Sequence, residues 1–126
     1  MALTTSVLHD GPVAVIVLEG ELDLAVTSPL TQAVSAALAD GFRRLVLDVS
    51  RLTFCDSCGL GAIMQAHRAV TSHGGHLAVA GAQGGFARLV DVTSVGEVLH
   101  LVPDVGQALT EAQPAREREH SQDPEA

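Results

Sequence analysis

The chain has 126 residues, enough for one domain, and 47% of them are hydrophobic, as in an ordinary globular protein. Only 2% are aromatic, and fifteen acidic residues outnumber seven arginines, with no lysine, for a formal net charge of −8. An acidic surface repels phosphate backbones, and rings for base stacking are scarce, so direct binding to nucleic acid is excluded.

No basic residue precedes Arg43, so we expect no secretory leader. The longest apolar run near the start, residues 12–18, is too short to span a bilayer. Two cysteines separated by two residues do not make a secreted disulfide framework. We therefore expect a cytoplasmic protein that does not enter a membrane.

Two strands are predicted first, at residues 3–8 and 12–18, joined by a hairpin turn at Asp10-Gly11. The second is apolar on both faces, which is typical of a central strand. Residues 19–23 are predicted to form a charged loop after it.

A helix is predicted next, with Ser28 as its cap and Pro29 at its first position. Its apolar residues recur at helical spacing and form one stripe, which consists of Leu30, Ala33, Val34, Ala37 and Leu38. Gly41 is predicted to end the helix.

The remaining elements alternate between strand and helix. Strands are predicted at 44–49, 76–80 and 98–102, and helices from Ser57 to Gly74, at 86–90 and at 105–112. Alternation of this kind predicts a single α/β domain, residues 1–113, with a mainly parallel, mixed sheet of about five strands and four helices. Residues 114–126 have no apolar side chain larger than alanine and are predicted to be a disordered, acidic and polar tail.

Four motifs in this order resemble the STAS-domain anti-sigma factor antagonist family over residues 3–112. They are Gly20-Glu21-Leu22-Asp23, the strand at 45–50, the switch motif Asp56-Ser57-Cys58-Gly59-Leu60 with Phe54 and Cys55 before it, and Gly74-Gly75-His76-Leu77. Cys58 departs from the family pattern, which has a second serine or threonine there.

The resemblance implies a binding protein without catalytic activity, cofactor or metal. Such a protein binds an anti-sigma factor and thereby frees a sigma factor. The anti-sigma factor is itself an ATP-dependent serine/threonine kinase, and the serine that it phosphorylates corresponds to Ser57. A protein phosphatase would reverse the modification.

The residues themselves are compatible with a phosphorylated Ser57. A helix start favours an anion, so a phosphoryl group there would leave the fold intact while repelling a partner docked on the helix. Asp56 would orient the hydroxyl or help present it to a kinase. The alternative is that Ser57 merely caps the helix.

A partner-binding surface is predicted around this serine. By resemblance it includes Glu21 and Asp23, together with Asp56, Ser57, Cys58, Gly59 and Leu60. Ala62, Gln65 and His67 are further candidates on the same helix. The alternative for the acidic loop is simple solvation. No histidine at a short fixed interval supports acid–base catalysis or metal binding there.

Two other functions remain open. Cys55 and Cys58 form a Cys-x-x-Cys at a strand-to-helix junction, as in dithiol oxidoreductases, but without the usual flanking tryptophan and intervening proline. A STAS module can also serve another assembly, such as a stress-signalling complex or a lipid-transport accessory.

Overall fold

A computed structural model of the chain describes residues 3–23 and 27–111. The described strands are β1 (Leu3–Asp10), β2 (Val13–Leu22), β3 (Arg44–Cys55), β4 (His76–Ala80) and β5 (His100–Val102). The described helices are α1 (Ser28–Ala39), α2 (Ser57–Ser72), α3 (Gly84–Thr93) and α4 (Val105–Glu111), with a short 3-10 turn at Val95–Glu97. This order confirms the predicted alternation.

The five strands form one mixed sheet in the order β1-β2-β3-β4-β5. β1 runs antiparallel to β2, and the other neighbours are parallel. The hairpin turn between β1 and β2 passes through Gly11 at a φ of 59°, which glycine adopts without steric penalty. β2 lies inside the sheet, and its Ala14, Ile16 and Leu18 are 0% exposed, so the predicted central strand is confirmed.

The sheet separates two apolar cores of unequal size. Helices α1, α2 and α3 pack on one face, where residues such as Leu30, Ile63 and Phe86 join the larger core. Helix α4 covers part of the other face, where Ala108 joins the smaller core with Val46 and Ala78. The alternation of side chains along each strand assigns successive residues to the two cores.

Strand β2 continues through Leu22, so the predicted loop at 19–23 is wrong for most of its length. Leu22 is 0% exposed, and its backbone pairs with Cys55 at the far end of β3. The register shifts between Val17 and Glu19 and again between Gly20 and Glu21. Burial of Leu22 and the irregular pairing keep this charged segment extended.

The start of α1 also differs from the prediction. Ser28 is the first helical residue and Thr27 occupies the cap position, without a side-chain hydrogen bond. The amide of Thr31 donates to the carbonyl of Thr27 at 3.2 Å, so helical bonding begins one residue before Ser28. Gly41, at a φ of 95°, follows the helix end as predicted.

Smaller differences concern the C-terminal half. α3 is longer than predicted at both ends, and β5 begins two residues later because the 3-10 turn precedes it. The predicted domain limit at residue 113 and the predicted tail lie outside the described residues. None of the described helices is long and apolar enough to cross a membrane.

Candidate functional site

The candidate site lies where β2 and β3 end side by side. Glu21 pairs with Phe54 and Leu22 with Cys55, and the amide of Asp56 donates to the carbonyl of Leu22 at 3.3 Å. The structure therefore brings the Gly-Glu-Leu segment against the start of α2, as expected. This is the carboxyl edge of parallel strands, where open α/β sheets place their functional groups.

Asp56, and not Ser57, caps helix α2. Its backbone is extended (φ −100°, ψ −175°), and Oδ1 accepts a hydrogen bond from the amide of Gly59 at 2.8 Å. A carboxylate at a helix start satisfies an orphan amide and interacts favourably with the helix dipole. The reading in which Ser57 is only a cap is therefore wrong.

Ser57 is the first residue of α2, and its side chain is exposed. Its hydroxyl forms no hydrogen bond with the part of the chain that the structure describes, because the capping interaction is made by Asp56. The hydroxyl is thus accessible at the positive end of a sixteen-residue helix, an environment that favours an added anion.

Gly59 and Leu60 are buried behind this surface. A Cβ on Gly59 would lie 2.3 Å from the main-chain oxygen of Leu22, so the helix approaches β2 closely only because residue 59 is glycine. Leu60 is 4% exposed and belongs to the larger core. Both were predicted as partner-binding residues; they instead hold α2 against the sheet and present no exposed side chain.

The remaining candidates differ in exposure. Cys58 and Gln65 are exposed, whereas Glu21, Asp23, Ala62 and His67 are half-buried. Phe54 had no predicted role of its own, yet it is 50% exposed next to the site. The sequence feature that could have predicted this exposed side chain is the aromatic residue two positions before the switch motif.

The two cysteines lie in different environments. Cys55 is half-buried, and its Sγ donates to the carbonyl of Asp56 at 3.5 Å. Burial, reinforced by the Asp56 carboxylate, raises the pKa of its thiol to about 12. Redox dithiols need a lowered thiol pKa, so this environment opposes the oxidoreductase alternative.

Comparisons with known proteins agree on one family. The family model described as "Mlab, STAS domain" matches residues 6–103. A protein of Paenibacillus polymyxa named anti-sigma F factor antagonist is 28% identical over 112 residues, which covers 88% of this chain and 96% of that protein. An anti-sigma-B factor antagonist of Staphylococcus aureus is 24% identical over 82 residues, which covers 65% of this chain and 76% of that protein.

Solved structures show the same relationship. The crystal structure of an anti-sigma factor antagonist from Mycobacterium paratuberculosis has a TM-score of 0.80 and 28% identity, over 90% of this chain and 96% of that one. The mixed five-stranded sheet with its helices is therefore the fold of a recognised domain. Since the family model spans most of the sequence, the chain belongs to the STAS domain family.

Proposed function

We propose that this protein is an anti-sigma factor antagonist, switched by phosphorylation of Ser57. In its unmodified form it binds an anti-sigma factor that is also a serine kinase, and a sigma factor is thereby released. The names of its relatives in Paenibacillus polymyxa and Staphylococcus aureus support the first part of this proposal.

The observation that carries the proposal is the separation of two tasks between Asp56 and Ser57. Asp56 supplies the helix cap through its bond to Gly59, and Ser57 keeps an exposed hydroxyl at the first helical position. A serine engaged as a cap would have to break that bond to react. Ser57 has no such bond to break.

In the proposed reaction, Oγ of Ser57 attacks the γ-phosphorus of ATP held by the kinase. The new Oγ–P bond forms as the bond to the ADP oxygen breaks, and the hydroxyl proton passes to a base. We assign the base to the kinase, because no side chain within residues 3–23 and 27–111 hydrogen-bonds to the Ser57 hydroxyl, and Oδ1 of Asp56 accepts from the Gly59 amide instead. A phosphatase would restore the serine by hydrolysis.

The phosphoryl group would add about −1.5 to −2 charges beside the carboxylate of Asp56. The helix start tolerates this charge, so the fold persists. A partner surface matched to the neutral hydroxyl would meet a desolvation penalty, and any acidic group on it would be repelled. Binding is therefore lost without a large change in the domain.

The experiment is incubation with ATP and a candidate anti-sigma kinase, followed by mapping of the phosphate by mass spectrometry. Ser28 provides a matched control, because it too is an exposed serine at the first position of a helix. We expect Ser57→Ala to abolish modification and Ser28→Ala to leave it unchanged. Modification of Ser57→Ala at an undiminished rate would refute the assignment.

A binding assay tests the second half of the proposal. Ser57→Asp should lose affinity for the kinase, and Ser28→Asp should retain it. Both variants should melt close to the parent, since each places a carboxylate at a helix start. Full affinity of Ser57→Asp, or loss of affinity through unfolding, would contradict the mechanism.

A further inference from the structure

A second site candidate lies on the opposite face of the sheet from α2, beneath α4. It is a cleft of about 390 Å³ at the amino ends of β3, β4 and β5. Its polar lining residues are Arg44, His76, His100 and Glu111, and its floor includes the buried Val46, Ala78 and Ala108. The proposed function uses none of these residues.

The sheet register aligns three basic side chains in this cleft. Arg44 pairs with His76 across β3 and β4, and Ala78 pairs with His100 across β4 and β5. His76 and His100 are therefore diagonal neighbours on one face. Their ring centroids are 5.1 Å apart.

These three basic side chains, Arg44, His76 and His100, already attract one carboxylate of the protein itself. Oε1 of Glu111 hydrogen-bonds to Nε2 of His100, and Oε2 accepts a bond from Nε2 of Gln107 at 2.7 Å. Arg44, by contrast, forms no hydrogen bond or salt bridge with any side chain in residues 3–23 and 27–111. These three basic side chains thus have cationic capacity beyond Glu111, the acid that contacts them within residues 3–23 and 27–111.

Electrostatics at His76 supports this view. The pKa of His76 is lowered, chiefly by burial and then by His100 and Arg44, while His67 lowers it further and Glu111 raises it. Of these groups, Arg44, His100 and Glu111 line the cleft with His76, whereas His67 acts from α2 on the other face of the sheet. A second anion beside the ring would offset the repulsion and favour its protonated form.

We propose that this cleft binds the phosphate or sulfate group of a small organic molecule between Arg44, His76 and His100. The planar guanidinium of Arg44 contacts two oxygens of a tetrahedral oxyanion, and the imidazoles donate to the others. The apolar floor receives the carbon part of the ligand. Affinity rises as pH falls, because both histidines donate most strongly when protonated.

Inorganic sulfate is the first probe, because it keeps its double charge throughout the titration range of histidine. NMR spectra of the histidine rings are recorded during sulfate titration at constant ionic strength. We expect the ring signals of His76 and His100 to shift and those of the exposed His9 and His73 to stay unchanged. The affinity for sulfate should be about tenfold higher near pH 5.5 than near pH 8, which corresponds to a rise of one unit in a histidine pKa on binding.

Variants locate the binding. Arg44→Gln should weaken sulfate binding about tenfold, as expected for loss of a charged bidentate contact, while the exposed Arg68→Gln on α2 removes the same charge elsewhere and should have no effect. Glu111→Gln should strengthen binding, because a carboxylate beside the anion is removed. Circular dichroism verifies that each variant is folded.

The proposal is overturned if sulfate shifts all exposed histidines alike, if Arg44→Gln and Arg68→Gln bind equally, or if affinity is independent of pH. Phenyl phosphate and inorganic phosphate test the role of the floor. If phenyl phosphate binds more tightly than inorganic phosphate, the apolar floor contributes and a small organic ligand is supported. Equal binding of the two would refute the role of the floor.

Discussion

The main-chain oxygen of Leu22 lies where a side chain on Gly59 would have to be, 2.3 Å from an ideal Cβ. The end of β2 and the first turn of α2 are therefore in direct backbone contact. The same carbonyl oxygen accepts a hydrogen bond from the amide of Asp56 at 3.3 Å. This contact fixes the start of the helix, and with it the position of Ser57.

Gly59→Ala should destabilise the domain by about 3 kcal/mol, because the new methyl meets a backbone carbonyl that cannot rotate away. Gly61, two residues later, has open space around its Cβ position. Gly61→Ala should stabilise by up to about 1 kcal/mol through higher helix propensity. Urea denaturation of both variants measures the difference, and equal effects would contradict the proposed contact.

Asp56→Ala should destabilise by about 1 kcal/mol through loss of the cap, and Asp56→Asn should recover most of this. Ser57→Ala should change stability by less than about 0.5 kcal/mol, as for an exposed residue without a hydrogen bond. Thermal and urea unfolding are the measurements. A Ser57→Ala cost equal to that of Asp56→Ala would show that the serine caps the helix after all.

His67→Leu should stabilise the domain by about 1 kcal/mol, because Nδ1 of His67 is buried and has no hydrogen-bond partner among the described residues, and such groups are costly. The control is His73→Leu at the end of α2. Nδ1 of His73 lies 2.9 Å from the carbonyl of Ala69, so its replacement should bring no gain. Destabilisation by His67→Leu would indicate that this nitrogen finds a partner in solution.

Thiol reagents should label Cys58 and leave Cys55 nearly untouched at about pH 8, because only the thiolate reacts. The thiol of Cys55 has a pKa of about 12 and is half-buried, whereas Cys58 is exposed. Mass spectrometry should show one rapid modification, which Cys58→Ser abolishes and Cys55→Ser does not. Rapid labelling of Cys58→Ser would contradict the assignment.

Alkaline pH offers a separate test of Cys55. Its pKa rises from 9.0 to about 12 on folding, so the unfolded chain loses this proton first, and stability falls as pH rises from about 9 to 12. The chain has no lysine or tyrosine, so few other groups titrate in this window. Cys55→Ala should flatten the slope of unfolding free energy against pH, measured in a Cys58→Ser background.

Local patterns predicted most of the fold. The apolar stripe of α1 and the strand at His76–Ala80 follow from spacing alone. The continuation of β2 through Leu22 could not be predicted from local spacing, because Leu22 pairs with Cys55, which is more than thirty positions away in the sequence. Charged residues at Glu19 and Glu21 resemble a loop until that partner strand is known.

The candidate site was predicted in position but not in detail. Thr27-Ser28 and Asp56-Ser57 each place two cap-forming residues in succession, and the sequence does not show which of them begins the helix. The structure selects the earlier residue in both cases. Likewise, the close approach that requires Gly59 depends on a neighbour in β2, which no local pattern reveals.

Strand β3 connects the two surfaces considered above, with Arg44 at its first residue and Cys55, next to the switch segment, at its last. At about 3.3 Å per residue its ends are some 35 Å apart, several times the screening distance of roughly 8 Å at physiological salt. The strand is paired with β2 along most of its length, so it does not shift along its axis to transmit a change from one end to the other. The proposed phosphorylation of Ser57 and the proposed anion site at Arg44 would therefore act independently of each other.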